Sequence, residues 1–162
     1  AAKFKGGTLY ASDSALSTGN SRQRMVEGKW FEASDAVYLY SGSLWYAQEL
    51  QHREGPMRTR LRELYNETKD DNDAEDDGAN LISVCRSDGS ITFWEYTGAY
   101  VACGNFGGCG SGSDVGVAFL RLIYQPDMSE RWLRGWFERI FTTVAEGDSS
   151  VATPVHYGVI RA

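Results

Sequence analysis

The alternation of apolar and polar positions is clearest between Ala36 and Tyr65. Ala36-Val37-Tyr38-Leu39-Tyr40 is a short aromatic and aliphatic run closed by Ser41-Gly42-Ser43; Leu44 to His52 follows, then Arg53 to Pro56, then Met57 to Tyr65. Short apolar runs broken by Gly, Ser and Pro predict consecutive antiparallel strands, a meander. Side chains alternate between the two faces of a strand, so Arg58, Arg60 and Arg62 share one side while Met57, Thr59, Leu61 and Tyr65 share the other. With Gly55-Pro56 as a two-residue hairpin loop, Glu49 falls opposite Arg62 and Gln51 opposite Arg60, and Trp45 and Glu49 join the arginine side. Two accounts of that row stand side by side. One is a solvated outer face with weak cross-strand ion pairs. The other is a barrel interior or mouth where planar guanidinium groups grip the carboxylates of an anionic ligand.

The remaining pattern extends the β reading. Ala1 to Asn20 has one weak apolar run, Thr8-Leu9-Tyr10, and is expected to be a loosely held N-terminal arm on a single domain spanning 1–162. Ser21 to Gly28 has a capping Ser and a closing Gly, which predicts a short helix. Leu81 to Cys85, an Asp88-Gly89 turn and Ile91 to Tyr96 predict a hairpin, because Asp-Gly suits a type I′ turn. Within it, Ile91, Phe93 and Glu95 share one face, and Thr92, Trp94 and Tyr96 the other. Glu95 either lies inside, where desolvation raises its pKa and favours proton exchange with a ligand, or ends the strand pointing to water. Val115 to Tyr124 reads as a buried strand. Ser129 to Val144 fits a helix, with Trp132, Leu133, Trp136, Phe137, Ile140 and Phe141 at helical spacing behind a Ser129 cap, yet its aromatics also suit strands around Gly135. Val155 to Ile160 supplies a closing strand.

Composition narrows the function. A net charge of −6 with pI near 4.9 argues against a nucleic-acid partner. Eighteen Gly with 9 Tyr, 7 Phe and 5 Trp favour a turn-rich domain able to line a pocket with rings. No apolar run reaches the roughly 20 residues that cross a bilayer, so a soluble protein is expected. Cys85, Cys103 and Cys109 match no zinc or redox spacing, and Cys103 with Cys109 is the nearest pair for a disulfide, idle thiols being the alternative. The acidic stretch Lys69 to Gly78 lacks the glycine placement and flanking helices of an EF-hand, and no metal site is expected. Gly104 to Gly116 is a glycine-rich loop without a phosphate-binding pattern. A hydrolase is disfavoured, since there is no nucleophile elbow and no His-Glu-x-x-His, and His52 and His156 have no evident partners.

The order of signals resembles the T-type phycobiliprotein lyases, the CpcT/CpeT chromophore lyase family, as a divergent and shortened member. Trp45-Tyr46-Ala47-Gln48-Glu49 resembles the family's aromatic-Tyr-x-Glu-Gln with Gln and Glu exchanged. Pro56-Met57-Arg58-Thr59-Arg60-Leu61 is similar to its Pro-Tyr-Arg-x-Arg-Val, and Ile91 to Tyr96 to its strand ending in Glu-x-Tyr. Gly28-Lys29-Trp30 is similar to the Gly-x-Trp near the start of lipocalin barrels. The resemblance implies an all-β fold, or a β-rich one with one or two short helices, built as a calycin-like antiparallel meander barrel that binds a linear tetrapyrrole, a bilin, and assists its attachment to a cysteine of an acceptor phycobiliprotein. Arg58, Arg60 and Arg62 would hold its propionates, Glu95 or Glu49 would protonate it, and Trp45, Tyr46, Trp94 and Tyr96 would wall it in. The bilin would be substrate or ligand with no permanent cofactor, the setting a plastid or a cyanobacterial cytoplasm, and a homodimer is compatible. The alternative is a non-catalytic pigment-binding or structural subunit of a light-harvesting assembly.

Overall fold

Among the described residues, 1–18, 21–69 and 78–162 of the computed structural model, the chain forms ten strands and four helices. β1 (Ala2–Phe4), β2 (Gly7–Ser12) and β10 (His156–Arg161) make a three-stranded antiparallel sheet in the order β1-β2-β10. β3 (Ala15–Thr18) and β4 (Ser21–Arg24) pair as a ribbon. β5 (Trp30–Glu32), β6 (Ala36–Gly42), β7 (Ala79–Cys85), β8 (Ile91–Trp94) and β9 (Tyr100–Gly104) make a five-stranded antiparallel sheet in chain order. Helices α1 (Leu44–His52) and α2 (Met57–Thr68) fall between β6 and β7; α3 (Ser113–Ile123) and α4 (Glu130–Gly147) fall between β9 and β10. Neither larger sheet closes on itself, so the expected closed all-β calycin-like barrel is replaced by an open α/β architecture.

Strand parity explains the layering. Along β6, Val37 and Leu39 point one way and pack with Ile82, Val84 and Ile91 against Tyr10 and Ile160 of the other sheet. Ala36, Tyr38 and Tyr40 point the opposite way, onto Tyr46, Leu50, Leu61 and Leu64 of α1 and α2. Leu9 of β2 and Ala2 of β1 meet Leu133, Phe137 and Ile140 of α4. The result is two sheets face to face with a helix pair on each outer side, which buries β6 and most of β7 on both faces and leaves the edge strand β9 largely exposed. That accounts for the unbroken apolar run of β6, whose first five residues are all buried. Burying a Leu or Ile of this kind contributes about 1.5–3 kcal/mol.

The helices are where the sequence expectation fails. In α2 the buried residues are Met57, Leu61 and Leu64, spaced i, i+4 and i+7, and Pro56 stands at its N-cap. The three arginines therefore do not form a row: Arg58 and Arg62 share an exposed face one turn apart, and Arg60 turns back to donate to the carbonyls of Gly55 at 2.6 Å and Leu50 at 3.3 Å. Leu44 to His52 is helical, capped by the Ser43 hydroxyl, which accepts from Tyr46 N. Val115 to Tyr124 lies in or directly after α3 and is not a strand. Ser129 to Val144 resolves as helix, with the Ser129 hydroxyl accepting from Trp132 N and Leu133, Phe137, Ile140 and Val144 buried. Ser21 to Arg24 is strand instead of helix.

The expected loose arm at the N-terminus is instead structural, since Ala2 and Leu9 are 0% exposed. The hairpin between β7 and β8 forms, but not through the expected type I′ turn: Gly89 is at φ +63° while Asp88 has no positive φ, Gly89 N donates to the Cys85 carbonyl at 2.9 Å, and the Gly89 carbonyl accepts from the Thr8 hydroxyl at 2.7 Å. Cys85, Cys103 and Cys109 are free thiols, so the candidate Cys103–Cys109 bridge is absent. The acidic residues 70–77 lie outside the described residues. No helix among the described residues is long and apolar enough to cross a membrane.

Candidate active-site cleft

A cleft of about 1030 Å³ opens where the start of β1, the ends of β2 and β6, the N-terminus of α1 and the loop before α3 converge. Residue 1 is fixed there by backbone pairing. The α-amine of Ala1 donates to the Gly107 carbonyl at 2.9 Å, Gly107 N donates back to the Ala1 carbonyl at 3.0 Å, and Lys3 N donates to Asn105 O at 2.8 Å. Strand β1 is thus held between β2 and segment 105–107. Burial lowers the pKa of this amine from 8.0 to about 6, against the opposing influence of the Cys109 and Cys103 thiols.

A charge pair stands in the same cleft. Lys29 Nζ lies 3.0 Å from both carboxylate oxygens of Asp13, and the two side chains are only 16% and 15% exposed. Asp13 also accepts from Ala15 N at 2.6 Å, and the Ser12 hydroxyl accepts from Lys29 N at 2.8 Å. The cation is thereby held at a set place between β2 and β5, where it is able to stabilise negative charge developing on a substrate oxygen.

Opposite it, Ser41-Gly42-Ser43 turns β6 into α1. Gly42 has φ +99°, and a Cβ there would stand 2.3 Å from the Gly78 carbonyl, so only glycine fits the turn. The turn aims the N-terminus of α1 into the cleft, with its unpaired N–H groups and positive dipole end. Asn80, the register partner of Ser41 on β7, lines the cleft with a buried Oδ1 that has no hydrogen-bond partner. Cys109 also lines it; burial pushes its thiol pKa up, while the nearby Ser41 side chain, the α-amine and Lys29 pull it back in part. At the rim, the Ser111 hydroxyl meets Asp148 Oδ2 at 2.5 Å and Ser150 Oγ at 2.6 Å, and Ser150 donates to Asp148 Oδ1.

The residues expected to form a site are scattered. Glu95 is exposed beyond the end of β8, within 3.5 Å of the Thr97 hydroxyl. Glu49 is half-buried on α1 and, by position, belongs to the helix layer. Arg58 lies over the Tyr100 ring at 5.6 Å, and Arg62 is exposed on the same helix. Tyr46 is core, its hydroxyl donating to Tyr96 O at 3.0 Å; Tyr96 packs edge-on to Tyr65. Trp94 donates to the Ser83 hydroxyl and stacks near Tyr100. Of the nine, only Trp45 lines the cleft. Sequence reasoning passed over Asp13, Ser41 and the Gly110-Ser111-Gly112-Ser113 run, and treated Lys29 as part of a barrel motif. The available signal was the Ser-Gly-Ser break between a strand run and Leu44, a helix N-cap pattern.

No protein-family model and no curated protein matches the chain. Its fold matches that of solved Anbu and HslV structures, which superpose over nearly its whole length. Anbu, the ancestral beta-subunit, from Yersinia bercovieri is similar at TM-score 0.79 and 14% identity, covering 99% of this chain and 80% of that one. The helical assembly of the Anbu complex from Pseudomonas aeruginosa gives 0.80 and 14%, covering 99% and 79%. Eukaryotic HslV from Trypanosoma brucei gives 0.74 and 14%, covering 99% and 97%. At these identities the likeness is one of fold. It overturns the resemblance to phycobiliprotein lyases, and with it the bilin, the acceptor phycobiliprotein and the plastid setting. The motif stretches that carried that resemblance, Trp45 to Glu49 and Pro56 to Leu61, lie in or at the start of α1 and α2, and both helices pack on a sheet.

Proposed function

We propose that this chain is a proteasome-related, peptidase-type subunit whose cleft binds an extended polypeptide and presents a peptide carbonyl to the α-amine of Ala1 and the ammonium of Lys29. The observation that carries this reading is the convergence of a clamped residue 1 and an aspartate-held lysine in one cleft, burial there lowering the pKa of the amine when residue 1 is the first of the chain. An N-terminal amine is a recognised general base for a neighbouring nucleophile. Lys29 and the N-terminus of α1 are suited to stabilise the oxyanion formed on attack. Residue 1 itself contributes a methyl group and no hydroxyl.

Replacing that methyl by a hydroxyl-bearing side chain tests the reading. With the amine at residue 1 free, Ala1→Thr should raise hydrolysis of fluorogenic peptides by about 100-fold or more over the parent chain, within the range typical of positioned base catalysis. Lys29→Met on that background should remove most of the gain. A folded Ala1→Thr protein with no gain would end the proposal. A second reading, an assembly subunit that binds peptide without turnover, is favoured by the methyl at residue 1. One structural neighbour is a helical assembly. In that case the parent chain would bind peptide and leave it intact.

A further inference from the structure

We infer that Asn80 sets the register of the substrate, its buried amide oxygen accepting a hydrogen bond from one backbone N–H of an extended polypeptide in the cleft. The inference rests on the peptide-binding reading above and adds to it the group that fixes which peptide bond is presented to Lys29. Strand parity picks the residue out. β6 and β7 pair so that Val37 meets Val84, Leu39 meets Ile82 and Ser41 meets Asn80, three successive cross-strand pairs on the face turned toward the other sheet. The first two pairs are aliphatic and belong to the core between the sheets. The third is polar, and both its members line the cleft into which that core opens. An aliphatic residue at position 80 would continue the row; an amide there gives up apolar burial and brings in a group that has to be satisfied.

Nothing in the chain satisfies it. Asn80 Oδ1 is buried without a hydrogen-bond partner among the described residues, Ser41 across the ladder included. Its neighbours in the cleft are engaged: Asp13 holds Lys29 Nζ and Ala15 N, the Ser12 hydroxyl accepts from Lys29 N, the Ser43 hydroxyl caps α1, and Ser111 is bonded to Asp148 and Ser150. An acceptor that has lost water without gaining a donor is a standing cost, and a ligand that brings the donor relieves it. A polypeptide offers a backbone N–H at every residue but proline, whatever its sequence, so the main chain is the matching donor. Ile82, Phe93, Leu120 and Phe137 line the same cleft and suit apolar side chains of that substrate. A site built around such an acceptor discriminates against a ligand that lacks the N–H, because the buried oxygen then stays unpaired.

The test uses the full chain and a fluorescein-tagged hexapeptide, Ala-Ala-Leu-Phe-Ala-Ala, whose central pair is offered to the apolar walls. A matched set carries a single backbone ester, which exchanges one N–H for an oxygen, at each internal peptide bond in turn. Binding is read by fluorescence anisotropy. At one position the ester should bind the parent chain about ten-fold more weakly than the all-amide peptide. Asn80→Leu should weaken the all-amide peptide by about the same factor and bring the ester at that position level with it, the other esters keeping their ratios. Asn80→Ala, which adds no bulk to the cleft, should show the same coupling. In urea, Asn80→Leu should unfold at a midpoint no lower than that of the parent, whereas loss of a purely structural amide would lower it. A peptide that the parent binds with no position coupled to Asn80, a lowered midpoint for Asn80→Leu, or failure of both variants to fold would overturn the assignment and leave the peptide-binding cleft standing. A parent chain that binds none of these peptides removes the cleft reading and this inference with it.

Discussion

Lys29 and Asp13 are the residues on which the cleft's electrostatics turn. Each is about five-sixths covered, and each has lost most of its water in exchange for the other's charge. Removing one partner strands the second, so Lys29→Met should cost about 3 kcal/mol in urea unfolding, while Lys29→Met with Asp13→Leu should recover most of it. In a chain whose first residue is Ala1, its amine supplies a second expectation at this scale, with a definite sign. Its pKa is about 6 folded and 8.0 as an ordinary terminal amine. Below pH 6 both states are protonated and the fold bears the full cost of a buried charge. Between 6 and 8 the unfolded chain binds the extra proton, so stability rises with pH, by about 3 kcal/mol in all, and then levels off. Denaturant titrations from pH 5 to 9 should show that rise, and Nα-acetylated protein should not.

At the scale of elements, α2 separates the two accounts of its sequence. As a helix it buries Leu61 completely and leaves Arg62 in water. Leu61→Ala should therefore cost about 3 kcal/mol and Arg62→Ala less than about 0.5 kcal/mol, measured by chemical denaturation. A strand with an inward arginine row would reverse the order. Gly42→Ala should be more damaging than its size implies, because the left-handed turn and the Gly78 carbonyl leave no room for a methyl. The sheet elements were the legible part of the chain. β6 announces itself by a run of Val, Tyr and Leu, and the Asp88-Gly89 turn by its pairing. The helices were hidden by chance alternation. Arg58, Arg60 and Arg62 obey period two as well as any strand, and only the three buried positions Met57, Leu61 and Leu64 keep helical spacing. In α3 the Val, Phe and Ile content favoured strand, and a single buried residue, Leu120, left the helical stripe faint. β1 and β2 were read as an arm because Lys3, Lys5 and two glycines mask strands completed only by β10, some 150 residues later in the chain.

At the scale of the molecule, the two-sheet sandwich explains why the cleft was the least legible feature. Its groups come from residue 1, from Asp13 and Lys29, from the β6–α1 turn and from the loop before α3, segments more than 100 residues apart that only the stacked sheets bring together. No short motif joins them, whereas the residues that did form sequence motifs serve the helix layer instead. The central claim is that a neutral amine at residue 1 and the Lys29 cation form a working site for peptide carbonyls. Its most direct measurement is the pH dependence of peptide hydrolysis by Ala1→Thr. The account predicts turnover that climbs with pH to a plateau, half-maximal near pH 6 where the amine loses its proton. A folded variant without turnover, or with turnover indifferent to pH between 5 and 8, would contradict it.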